Sequence, residues 1–191
     1  MHRSSKDRTR QKLQDAVVAE AVENGIAAVS IAGIVKRAKV SAGTVYVHFE
    51  NKDDMLRQVY LQLKADFHGC LTRHRDEADT AKMVRHLWFD MFDFVRDRPQ
   101  DFLFLDYAHA AKLLPPREQA IADEYAEDIA ALLRRGVDDG TLAPMQDGLL
   151  SLLLVAPAMQ LARGAVLAGR PIPPELISQA FDRVWLSIAN P

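Results

Sequence analysis

Cysteine is almost missing from this chain of 191 residues: Cys70 stands alone. No intramolecular disulfide can form, so packing must hold the fold, and a reducing cytoplasm is the expected compartment. Neither sign of charge dominates. The net is −2, which by itself marks neither a nucleic-acid binder nor a membrane-surface protein. Unbroken apolar runs are missing as well. The longest apolar stretch, Leu149 to Leu167, is interrupted by Ser151, Pro157, Gln160 and Arg163, which suits a buried or interface helix and not a membrane span. The start, MHRSSKDRTRQK, lacks the apolar core of a signal peptide. Strand-like alternation and internal repeats are missing. So are a Gly-rich phosphate loop, GxSxG and HExxH, and no nucleophile–base pair replaces them, so no catalytic role is expected. His68, His74, His86 and His109 do not have zinc-ligand spacing, and neither a metal nor a cofactor is expected. Cys70 reads as a small core or surface thiol.

What the chain does have is apolar residues at helical spacing, 49% of the total, enough for a sizeable core. Its charge is also uneven. Residues 1–64 carry 11 Lys/Arg against 7 Asp/Glu, a net of +4, whereas residues 65–191 carry 13 against 19, a net of −6. A basic head on an acidic body points the head at phosphates. The head begins with a basic, polar arm, residues 3–12, expected to be disordered off DNA and able to lengthen the helix that follows. That helix runs from about Thr9 to Asn24, with Gly25 at its C′ position.

Residues 30–52, SIAGIVKRAKVSAGTVYVHFENK, then read as two short capped helices and the start of a third. Ser30 N-caps the first, whose apolar face is Ile31, Ile34, Val35 and Ala38. Ser41 N-caps the second, with Val40 and Val45 placed as a hydrophobic staple. Val45 and Phe49 turn inward. Ala42, Gly43, Thr44, Tyr46, Val47 and His48 are left outward, a face suited to close approach to a duplex. Asn51 N-caps the third helix, which places Asp53, Asp54 and Lys52 in its first turn. Acids there suit the helix dipole; the lysine suits a phosphate brought to that helix end.

This stretch resembles the DNA-binding domain of TetR/AcrR-type transcriptional regulators. The likeness runs from Leu13 to about Leu56, on Ala16, Gly25, Ser30, Ile31, Ile34, Ala38, Val40, Ser41, Gly43, Thr44, Tyr46, Phe49 and Lys52. It implies an all-α fold. An N-terminal three-helix, helix-turn-helix domain (residues 1–51) would be joined by a long helix to a helical ligand-binding and dimerisation domain (residues 52–191). It also implies that residues 41–48 are the recognition helix, with Ala42, Gly43 and Val47 near base edges and Thr44, Tyr46, His48 and Lys52 on phosphates. Ser41 and Lys39 complete the DNA-binding set. The sequence departs from the family pattern at three places. Lys39 stands where a glycine is usual, and a left-handed lysine costs about 1 kcal/mol. Ala21 replaces an aromatic. Glu50 stands where a neutral or basic residue is commoner.

Further helices are expected at about 52–74, 80–96, 101–114, 117–137, 147–167 and 174–189. Aromatics gather in the central ones. Plain core packing accounts for any single one of them; together they suggest a mostly apolar effector cavity lined by His86, Trp88, Phe89, Phe92, Phe104, Tyr107, His109 and Tyr125. The last two helices, with Leu152, Ala156, Met159, Arg163, Phe181 and Trp185, suit a homodimer interface, because a two-fold operator needs two recognition helices one DNA turn apart. The expected function is a ligand-responsive, dimeric repressor of a pseudo-palindromic double-stranded DNA operator, answering to a largely apolar small molecule and independent of membranes. The alternatives are a helical small-molecule sensor or sequestering protein without gene control and, more weakly, a helical-bundle enzyme.

Overall fold

The structure, a computed structural model, describes residues 5–146 and 148–191. Residues 3 and 4 of the basic arm, and the expected helix start at Asp147, lie outside the described residues. Among those described there are nine α-helices and no strand: α1 (Ser5–Asn24), α2 (Ile31–Ala38), α3 (Ala42–His48), α4 (Lys52–Leu71), α5 (Thr80–Asp97), α6 (Pro99–Ala110), α7 (Pro116–Asp138), α8 (Leu149–Ala168) and α9 (Pro174–Ile188). One isolated antiparallel bridge joins Leu142 to Ala189. The helices form two compact units. The first takes the chain up to Lys64 and Gln100–Gln119; the second takes Ala65–Pro99 and Ala120–Pro191.

In the first unit α1 packs on α2, and α2 on α3. Leu13, Val17, Ile34, Val45 and Met55 are fully buried there. Ala21 is fully buried too, so the small side chain sits in the core as an aromatic would. From Ser5 onward the arm lengthens α1, as the sequence allowed. Arg10 explains part of this: its guanidinium lies over the Phe49 ring, 5.3 Å from the centroid, and donates to Gln58 Oε1 at 2.9 Å. Glu20, nearly buried, accepts from Arg37 Nε at 2.5 Å, and Arg37 also pairs with Glu23. A Cβ on Gly33 would collide with the Glu20 carboxylate, so the glycine makes room for this ion pair between α1 and α2.

In the second unit α5, α8 and α9 pack on one another. Trp88 is fully buried and donates its indole N–H to the Ile177 carbonyl at 3.2 Å. Buried Gly136 leaves space that Leu142 and Thr80 occupy. Thr80 donates to Asp139 at 2.5 Å. Pro157 lies inside α8 without ending it, and the helix runs through.

Two helices end earlier than their apolar pattern predicts. The fourth stops at Leu71, not near residue 74. The Thr72 hydroxyl donates to the His68 carbonyl at 2.9 Å, and Arg73 turns away to Asp90; such local bonds compete with helix continuation. The sixth stops at Ala110, not 114. Lys112 adopts a left-handed φ of 50°, and the Leu113 N–H closes on the Ala108 carbonyl at 3.2 Å.

Candidate nucleic-acid interface

The recognition segment is built from caps. Ser30 Oγ accepts the Gly33 N–H at 3.0 Å, and Ser41 Oγ accepts the Thr44 N–H at 3.2 Å. Between the two helices Lys39 takes φ 54°, ψ 47°, the left-handed conformation that glycine adopts more easily. It closes α2, with the N–H of Val40 reaching the Val35 carbonyl at 3.2 Å. The departure at Lys39 therefore changes the residue and keeps the turn.

Helix α3 then has two faces. Val45 and Phe49 are buried, while Ser41, Ala42 and Gly43 are exposed and Tyr46 and Val47 stand out at 58% and 70% exposure. Thr44 and His48 are half-buried. Seven residues cannot hold a helix alone, so this face exists because Val45 and Phe49 anchor it.

A polar chain fixes the end of α3 to its neighbours. Asn51 Oδ1 accepts the Asp54 N–H at 2.9 Å, which confirms the expected cap. Asp54 in turn accepts the Glu50 N–H and the Gln58 side-chain amide, each at 2.9 Å, and Gln58 accepts from Arg10. Sequence reasoning assigned Asp54 only to the helix dipole and missed this relay. The spacing of Asp54 and Gln58, four apart, was the available signal. The relay uses only the backbone N–H of Glu50, which any residue but proline would supply, so it does not explain that departure from the family pattern.

Several cations lie on the segments next to α3 in sequence and beside His48. Lys36, Lys39 and Lys52 have no ion-pair partner among the described residues, unlike Arg37. Lys52 opens α4, where amides and a cation converge. Lys6 and Arg10 face His48 from α1. Burial first, and then these two cations, lower the His48 pKa below 6.5. Lys6 and Arg10 were not singled out from sequence, although four-residue spacing on a helix-extending arm would have placed them together.

The effector candidates divide. Phe104 (buried), Tyr107 (half-buried) and His109 (exposed) belong to the first unit. The other five belong to the second. There the Trp88 ring lies 5.4 Å from Phe92 and 5.8 Å from Phe181, and Phe89 lies 6.1 Å from Phe181. Tyr125 stacks on His68 at 4.7 Å, and His68 meets Asp128 at 2.9 Å. His86 lies against His74, with ring centroids 4.3 Å apart, and its buried Nδ1 has no hydrogen-bond partner. Among the described residues no group of three or more His, Cys, Asp or Glu is arranged for a metal ion.

The dimerisation candidates also separate. Leu152, Ala156, Met159 and Arg163 fall on one face of α8, with Leu152 60% exposed. Phe181 is core and Trp185 is half-buried beside it, 5.9 Å away. Helix α8 is long and apolar enough to cross a membrane, and only 22% of its apolar window is buried.

The comparisons with known proteins follow this geometry. The family model described as "Bacterial regulatory proteins, tetR family" matches residues 13–59, and "Tetracyclin repressor-like, C-terminal domain" matches residues 53–189. An HTH-type transcriptional regulator of Haemophilus influenzae is 25% identical over 165 residues, 86% of this chain and 87% of that protein. The HTH-type nicotine-responsive transcriptional repressor of Paenarthrobacter nicotinovorans is 26% identical over 138 residues, 70% of this chain and 71% of that one. A TetR family transcription regulator from Marinobacter aquaeolei superimposes with a TM-score of 0.87 at 22% identity, covering 97% of each chain, a likeness of fold.

Proposed function

We infer how the protein works from its membership of the TetR family of bacterial regulatory proteins, to which the chain belongs. It is a ligand-responsive, DNA-binding transcriptional regulator; the assignments that follow are our reading of its parts. Residues 1–51 form the DNA-binding domain and residues 52–191 the effector and dimerisation domain. Helix α3 enters the major groove, with Ala42, Gly43 and Val47 toward base edges. Ser41, Thr44, Tyr46, His48, Lys39 and Lys52 hold the sugar–phosphate backbone. The observation that carries this is the split of α3 into a buried anchor, Val45 and Phe49, and an exposed face with Tyr46 and Val47. The protein acts as a homodimer through α8 and α9, with Leu152, Ala156, Met159, Arg163 and Trp185 at or beside the contact and Phe181 supporting it. A second copy is the simplest cover for an apolar helix so little buried in the protomer, and it removes any need for a membrane. The effector is mostly apolar and docks on the aromatic cluster of the second unit. It acts by binding one DNA-competent state better than the other. The work requires no reaction and is done in the cytoplasm, where the operator is.

Selection of duplexes from a random pool, followed by gel shift and salt titration, tests the reading. The expected result is one enriched pseudo-palindrome bound by the dimer. A folded dimer that binds no duplex at low salt would refute it. Lys52→Ala should weaken all duplexes alike and reduce the salt slope by about one per head; an unchanged slope removes Lys52 from the phosphate contacts.

His48 gives a second, independent check. Burial, Lys6 and Arg10 favour its neutral form in the free protein. A phosphate favours the charged form, so docking takes up a proton. The extra affinity is complete below the free-state pKa, itself under 6.5, and is lost as pH rises through the higher DNA-bound value. Operator affinity should therefore fall by about threefold per head between acid and pH 8, the size of an exposed charge pair. His48→Gln should flatten the profile. A wild-type profile already flat would place His48 away from phosphate.

A further inference from the structure

We propose, resting on the reading of α3 as the recognition helix, that Gly43 and Val47 read the 5-methyl group of thymine in the major groove. Residues 41–48 contain no Arg, Lys, Asn, Gln, Asp or Glu. Those are the side chains that identify bases by paired hydrogen bonds. The two aliphatic hydroxyls are partly committed, since Ser41 Oγ and Thr44 Oγ1 bond each other at 2.9 Å and Ser41 Oγ also accepts the Thr44 N–H, while the Tyr46 phenol is the one read above as a backbone contact. His48, at the helix end, faces the cations of α1. The most exposed large apolar side chain of the helix is Val47, at 70%. An apolar group at a major-groove base edge has one favourable partner, the thymine methyl.

Gly43 supplies the second, separate observation. Its φ is not left-handed, and a Cβ built there meets nothing nearer than Ser41 Oγ at 3.7 Å. The fold therefore does not require glycine, which weakens a helix relative to alanine. What glycine adds is room outside the helix. Gly43 and Val47 are four residues apart and form one row on the outward face. A duplex can close on the backbone at Gly43 and bring a base edge against the Val47 methyls. Each half-site then contains at least one thymine recognised by its methyl group.

The test uses the full-length protein and the duplex recovered by selection. Each thymine is replaced in turn by deoxyuridine, which deletes the methyl and keeps every hydrogen-bonding group. At one or more positions per half-site the wild type should bind about fourfold more weakly, the value of one buried methyl, and about 15-fold more weakly when both half-sites are changed. Val47→Ala, at an exposed position, should keep the melting temperature and lose the deoxyuridine penalty. Gly43→Ala should melt no lower than wild type and yet bind the operator more weakly. The proposal is overturned by any of these results: no thymine whose methyl matters, a penalty that persists in Val47→Ala, or a Gly43→Ala protein that binds unimpaired. Loss of binding only on 7-deazaguanine substitution would assign readout to polar groups and overturn it as well. If no duplex is selected at all, the recognition-helix reading itself fails.

Discussion

Replacing Leu152 by arginine is expected to leave the protomer folded and to lower operator affinity by roughly 10²- to 10⁴-fold, the advantage that joining two binding heads confers. Leu152 is 60% exposed, so arginine meets water in the isolated chain and costs the fold little. The same position lies in a row with Ala156, Met159 and Arg163, four, seven and eleven residues on. A second copy docked there would bury the new guanidinium against apolar surface and beside Arg163. An unpaired buried charge is among the most unfavourable features an interface can contain. Each protomer would retain its recognition helix and its phosphate contacts. What it loses is the second head, which a dimer delivers to the neighbouring half-site without a second encounter. Sedimentation should show a monomer with the wild-type melting profile, and gel shift on the selected duplex should show the affinity loss. A variant that stays dimeric would move the interface off this face of α8.

Trp88→Ala is expected to have the largest effect on stability, about 3–5 kcal/mol, as for other buried aromatic truncations. The side chain is fully buried on α5 and touches both Phe92 and Phe181. Its N–H is the hydrogen-bond partner of the Ile177 carbonyl on α9. Alanine leaves a large void between two helices and removes the second hydrogen bond of that carbonyl, which keeps its place in the α9 ladder. For a chain of this size the melting temperature should fall by about 10 °C or more. Trp88→Phe separates the two losses: it keeps most of the packing and gives up the hydrogen bond, so its effect should be about 1–3 kcal/mol. A small effect from alanine would mean that α5 and α9 collapse together and refill the space.

The recognition helix was legible in sequence because its signals are local. Ser30, Ser41 and Asn51 cap within three residues of themselves, and Val45 and Phe49 are one helical turn apart. Each expectation concerned neighbours, and each is met. Lys39 was legible as a problem, and the structure answers it with a left-handed lysine in place of the glycine. The failures came where the deciding partner is distant in sequence. The fourth helix ends at Leu71 because Arg73 turns to Asp90, seventeen residues on, which apolar periodicity cannot reveal. From Ser5 onward the arm is part of α1, with Arg10 bonded to Gln58, 48 residues away. The aromatic candidates show the same limit. Periodicity could place Phe104, Tyr107 and His109 on one helix and Trp88, Phe89 and Phe92 on another. It could not tell that they belong to different compact units.

The Arg37 ion pairs have a kinetic consequence. Glu20 and Glu23 on α1 grip Arg37 on α2, and Asp54, Gln58 and Arg10 fasten the far end of α3. A head clamped at both ends before it meets DNA has, among its described residues, its helices already formed on arrival. Its capture of an operator is then a rigid encounter, governed by how often the head arrives correctly turned and by how strongly its lysines draw it in. Added salt would consequently slow arrival by screening those lysines.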